Sequence, residues 1–224
     1  MPTTIHVSPP PRPFTGRRRA FALAGIALVL GGAAAAIAVA AREQVVSSSS
    51  FDHVREIVVE IDTGSIALSR APGSVVELTT LRAWTSTSSP TSTAAVVDGV
   101  LRIDGDCPDG AIRCSVRHDI AVPAGTPVRV QVGAGSVEAA GLDVPTLDVR
   151  TGTGSVAATF ATPPDHVSLL AGIGSIALTV PAATYDVDAH ATFGTVAVGI
   201  PDVPGAASTL QVGATTGSVL VDGS

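Results

Sequence analysis

Aromatic residues are nearly absent from this chain: 3% of its 224 positions are Phe, Trp or Tyr, and there is a single Met. A core must therefore be built from Val, Ala, Ile and Leu, which suits thin layers better than a deep globular centre. Lysine is missing altogether. All 13 basic residues are Arg, a feature of GC-rich coding that carries no mechanism. Neither G-x-S-x-G nor H-E-x-x-H occurs, so the corresponding serine and zinc hydrolase sites are excluded. With no C-x-x-C, a redox role for the two cysteines has no support. Apolar residues at helical spacing are absent throughout residues 51–224.

Charge is divided unevenly. Residues 1–42 carry five Arg and no acid, whereas residues 43–224 carry eight Arg and all 19 acids, a net charge of −11. The large part would repel phosphates, so no nucleic-acid partner is expected. Residues 1–19 are Pro-rich and read as a disordered cytoplasmic tail. Residues 20–41 hold no charge and would span ~33 Å as a helix. Arg17, Arg18 and Arg19 precede them, which keeps the N-terminus inside and sends the rest outside. A retained transmembrane anchor is expected. Cleavage near Ala40, after "AVA", is the alternative and yields a secreted protein. Residues 42–50, with the run "SSSS", read as a spacer, and residues 51–224 as the extracytoplasmic domain.

What that domain does contain is a repeat. "TGTGSVAATF" at 151–160 returns as "AGIGSIALTV" at 171–180 and "ATFGTVAVGI" at 191–200. The apolar residue after each Gly-Ser or Gly-Thr gives anchors Ile66, Val137, Val156, Ile176, Val196 and Val219, spaced by 19, 20, 20 and 23 residues from Val137 on. Apolar residues also recur seven and nine positions before each anchor, as with Val149 and Leu147 or Leu169 and Val167, and two and four positions after it. Period-2 alternation on both sides of a corner means two short strands per coil. The corner glycines Gly64, Gly135, Gly154, Gly174, Gly194 and Gly217 are read as bending the backbone, not as cradling a phosphate. A dinucleotide fingerprint needs a third Gly and a following helix. The expected fold is all-β: a single-stranded, right-handed β-solenoid of ~20-residue coils behind one N-terminal helix. Residues 71–126 break the period and read either as irregular coils or as a small sheet on one end.

Candidate sites follow from the register. Cys107 and Cys114, with six residues between them, are expected to form a disulfide across a turn outside the cytoplasm. Asp104, Asp106 and Asp109 read as a solvated turn, since their spacing is not that of a calcium loop. On the strand before the corner, His166 would lie one coil from Asp186, with Asp188 and His190 beside it, forming a weak metal or acid/base patch. His6, His53 and His118 stand alone and read as structural or solvated. On the strand after the corner, Ala157, Thr159, Ala177, Thr179 and Ala197 form a flat outward face. That face either receives a partner or is covered by residues 71–126.

The string "CPDGAIRCSVRHDIAVPAGTPVRVQVGAGSVEAAGLDVPTLDVRTGTGSV", residues 107–156, resembles the Toastrack family of bacterial envelope adhesins. The matching features are the Cys pair, "VPAG" at 122–125 and successive "GxGSV" corners followed by "GL". The resemblance covers roughly residues 51–224. It implies a solenoid on the outer side of the membrane with a scaffolding, adhesive or envelope-stress-signalling role, and it supplies no catalytic residues. The family often carries Asp at the corner where Ser136, Ser155, Ser175, Thr195 and Ser218 stand here, so no ligand role of that Asp is carried over.

The sequence therefore predicts a non-enzymatic, membrane-anchored surface module without cofactor or metal, contacting an envelope protein or glycan. An accessory subunit of a signalling system is the second reading. A glycan-processing enzyme using Asp148, Asp186 or Asp188 is the third. Self-association is expected at the last coil, Leu210–Asp222, where Val219→Lys or Val221→Lys should weaken it.

Overall fold

A computed structural model describes residues 43–85, 88–108 and 113–224. They form thirteen strands and no helix: β1 (Glu43–Phe51), β2 (Glu56–Arg70), β3 (Val76–Trp84), β4 (Thr91–Val97), β5 (Val100–Asp106), β6 (Ser115–Val122), β7 (Val128–Leu142), β8 (Thr146–Thr153), β9 (Val156–Phe160), β10 (His166–Ile173), β11 (Ile176–Val180), β12 (Tyr185–Val198) and β13 (Ser208–Gly223). The predicted apolar helix at 20–41 lies outside the described residues, as does the tail at 1–19. Among the described residues no helix is long and apolar enough to cross a membrane.

Each lap has a first arm, a corner and a second arm, made by one long strand (β2, β7, β12, β13) or by a pair (β8 with β9, β10 with β11). Laps pair in parallel, residue for residue, so alternate side chains stack into columns. On the second arm the inward column runs Ile66, Val137, Val156, Ile176, Val219, each at most 2% exposed. On the first arm it runs Ile57, Val128, Leu147, Val167, Leu210, equally buried. Ladder hydrogen bonds tie the laps, and burial of these aliphatic columns, at roughly 1.5–3 kcal/mol per side chain, drives the stacking.

The order of laps departs from the order of sequence. β13 pairs with β10 and β11 on one side and with β12 on the other, so the last coil is interior and β12 forms the end of the stack. Val219 and Val221 are therefore buried, and the open edge expected at Leu210–Asp222 belongs to β12 instead. Two features explain the exchange. The spacing from Val196 to Val219 is 23 residues rather than 20, and the longer connection lets the chain pass outside the start of β12. There Asp202 bridges to Tyr185 and the Val203 N–H donates to the Tyr185 carbonyl, before the chain turns inward. The first arm of β13 also carries Leu210 and Val212 where β12 carries Val187 and Ala189. Placing the smaller set at the open end leaves less apolar surface in water.

The described part of residues 71–126 combines the two expectations, an irregular coil and added sheet strands at one end of the stack. β5 and β6 make one irregular lap beside β2. β4 then extends the first-arm sheet antiparallel to β5, and β3 and β1 extend the second-arm sheet beyond β6. The expected spacer at 42–50 is corrected by the same pairing. Ser47 to Ser50 lie opposite Thr80 to Glu77 within β1, so the serine run is spent in the sheet.

Candidate functional site

Five of the six expected corner glycines share one backbone conformation; Gly64, at the corner of β2, does not adopt its positive φ. Gly135, Gly154, Gly174, Gly217 and Gly194 have φ between +146° and +152°. Gly154 shows why no other residue fits: besides its φ, a Cβ there would overlap the Gly135 carbonyl oxygen of the lap beneath. The hydroxyl residues after these glycines form an outward row, in which Ser218 Oγ donates to Ser175 Oγ at 2.9 Å.

On the β5–β6 lap the corner is replaced by an insertion. Cys107 and Cys114 close it with a disulfide, their Cα atoms 5.9 Å apart.

Just before the corner lies a second column of bare backbone. A Cβ on Gly133, Gly152 or Gly172 would stand 2.5 Å from the carbonyl oxygen of Asp62, Gly133 or Gly152. This column forms a trough running along the stack. Its bank is the outward column Asp104, Glu60, Gln131, Arg150, Leu170, Gly213, His190. Two cavities occupy the trough. One, of about 600 Å³, is lined by Glu60, Asp62, Asp104, Asp106, Gln131 and Arg150 among others. The other, of about 280 Å³, continues from Arg150 and Thr151 to Gly213 and His190. Thr151 lines both, is 5% exposed, and its hydroxyl has no hydrogen-bond partner. This groove is the strongest candidate site.

Around it the charges are arranged as bridges. Asp148 sits between Arg129 at 3.8 Å and Arg150 at 3.5 Å, and Arg129 also lies 3.7 Å from Glu56. Asp148, expected as one candidate acid, is thus engaged with two guanidinium groups, which leaves Arg150 poised at the groove.

The cluster expected at His166, Asp186, Asp188 and His190 does not assemble. With β13 between β10 and β12, Thr209 separates His166 from Asp186 and takes the His166 Nδ1 at 2.6 Å. Asp186 accepts the Gly205 N–H at 2.8 Å and so holds the crossover loop. His190 Nδ1 lies 3.5 Å from Asp188, and its ring covers Gly213, where a Cβ would come within 2.6 Å. Among the described residues no group of three or more His, Cys, Asp or Glu is placed to hold a metal ion.

The outward face of the second arms is open, not covered by residues 71–126. Ala157, Thr159, Ala177 and Ala197 are exposed and Thr179 is half-buried, and Leu220 stands between Ala177 and Ala197. Next to it, the end of the stack exposes Phe193 (69%), Val196 (42%) and Val198 (41%).

At the other end His118 is fully buried, taking the place in the second-arm column that an aliphatic residue fills elsewhere. Its Nδ1 shares a 3.0 Å hydrogen bond with Thr80 Oγ1, and Nε2 has no partner. Burial pushes its pKa down to about 4, against a smaller opposing pull from Asp119. His118 is a structural imidazole. Sequence reasoning missed the acidic end of the groove because Glu60, Asp62 and Asp104 come together only through the pairing of β2 with β5.

No family model matches the chain, and no curated protein matches it. Among solved structures, a putative cell adhesion protein from Clostridium sporogenes matches 81% of this chain and 100% of its own, at 12% identity and a TM-score of 0.62. This chain has that protein's fold. A putative adhesin from Bacteroides fragilis (11% identity, 81% of this chain and 97% of its own, TM-score 0.37) and one from Parabacteroides distasonis (10%, 81% and 97%, 0.30) also match. The adhesin-type solenoid anticipated from the "GxGSV" corners thus agrees in fold with the solved adhesion protein.

Proposed function

We propose that this chain is a non-enzymatic, adhesin-like binding module of the bacterial envelope. In this reading it is a right-handed solenoid held outside the membrane by residues 20–41, or released after cleavage near Ala40. The observation that carries the reading is a stack with an open groove and an open second-arm face, in a chain whose longest uncharged stretch, residues 20–41, follows three arginines. Its non-enzymatic character is supported by the fate of the candidate acids: Asp148 is bridged by arginines, Asp186 holds a loop, and Asp188 has His190 as its neighbour. The partners are envelope components, protein or glycan, and a second copy at the β12 end. The full-length chain in detergent should co-sediment with purified bacterial envelopes, and protease added outside intact cells should remove the domain. Failure of co-sedimentation overturns the binding role; turnover of a cell-wall glycan by the purified chain overturns the non-enzymatic one.

A further inference from the structure

We propose that the axial groove holds a linear glycan whose sugars are neutral or carry free amines, laid across the laps of β5, β2, β7 and β8. The proposal rests on the binding-module reading and names the ligand class of its groove. Shape comes first. The bare backbone at Gly133 and Gly152 leaves a channel at right angles to the strands, extending ~4.8 Å with each lap. An extended peptide binds a sheet by adding to an edge ladder, but the backbone groups of β7 and β8 are already committed to each other across this channel. A ligand lying there must be recognised through its substituents.

The lining selects hydroxyls and amines. Glu60, Asp62, Asp104 and Asp106 supply acceptors, Gln131, Thr91 and Thr93 both donate and accept, and Arg150 donates from the far end. Four carboxylates against one guanidinium repel a polyanion. Carboxylate–ammonium hydrogen bonds are the strong kind, so free amines on the sugar add affinity.

Titration calorimetry on the full-length chain in detergent, with three oligosaccharides, tests this. A chito-oligosaccharide with free amines should bind, its N-acetylated form about tenfold more weakly, and oligogalacturonate not at all. Gln131 is exposed and outward, so Gln131→Trp should abolish binding by filling the channel, while Ser74→Trp, exposed in the turn between β2 and β3 and away from both groove and second-arm face, should leave it unchanged. The double variant Glu60→Gln, Asp104→Asn keeps the shapes and should remove the preference for amines. Unchanged binding in both the Gln131→Trp protein and the double variant overturns the site. Equal binding of oligogalacturonate, or binding of hexa-arginine peptide with no sugar bound, overturns the ligand class. Loss of all sugar binding with envelope co-sedimentation intact refutes the glycan proposal alone; loss of co-sedimentation as well refutes the binding module.

Discussion

Val219 pairs directly with Ile176, one lap inward from the end of the stack. Val196, which precedes Val219 in sequence, lies outside it. The distinction is measurable because the same substitution meets two environments. Val219→Lys places a charge in the core and should cost about 4 kcal/mol or more, enough to unfold the domain at moderate temperature. Val196→Lys leaves the ammonium at an open edge and should shift the melting temperature by no more than a few degrees. Thermal denaturation by circular dichroism compares them, and equal losses would refute the lap exchange.

Self-association follows the same edge. Light scattering of the full-length chain in detergent should report oligomers larger than the monomer-detergent complex, and Phe193→Ser with Val196→Lys should reduce them, since both side chains stand at the end of the stack. A monomer in the parent protein removes the prediction.

Gly154→Ala should cost about 3 kcal/mol or more, because a positive φ and an overlap with Gly135 act together. Ser155→Ala, one residue later and exposed, should stay within about 0.5 kcal/mol. Chemical denaturation of the two variants separates the backbone requirement from the side-chain row.

His118 sets an acid limit. The unfolded chain takes up this proton near the ordinary value of 6.5, whereas the folded chain does so only near 4. Between those values the unfolded state holds more protons, so stability is complete above about pH 6.5 and falls as pH drops toward 4. The loss amounts to roughly 3 kcal/mol. His118→Leu should flatten the slope between about pH 6.5 and 5, where most carboxylates stay ionised. Denaturation across that window provides the check, and a slope unchanged by the substitution excludes His118 as its source.

Reduction of Cys107–Cys114 opens a short loop at the irregular lap and should lower stability by about 2–3 kcal/mol in the chain-entropy picture. Melting with and without dithiothreitol measures it; a melting temperature indifferent to reductant contradicts it.

Much of this fold was legible because a period of two survives on both sides of each corner: Leu147, Val149, Val156 and Ala158 point inward as their spacing demands. The Cys107–Cys114 bridge was legible for a similar reason, being local. Lap order was not. Val187 and Leu210 occupy the same inward column and either set of side chains completes it, so alternation carries no information about which lap lies outside. The single trace is the 23-residue spacing before Val219, which reads as an irregularity until the crossover at Asp202 gives it a purpose. The serine run 47–50 reads as a tether because its polarity suits one equally well, and its partner Glu77–Thr80 is distant in sequence. At the groove, the ~20-residue period by itself aligns Gln131 with Arg150, while Asp104 reaches their column only through the irregular lap.

Because β13 is interior, the protein cannot be assembled in the order in which it is made. β12 leaves the ribosome first, yet among the described residues its one strand partner has still to be synthesised. Until the final sixteen-residue strand arrives, β12 either waits unpaired or sits on β10 and β11 in a berth it must later vacate. Loss of β13 would therefore do more than shorten the stack: it would strip β12 of its strand partner and uncover β10 and β11 together.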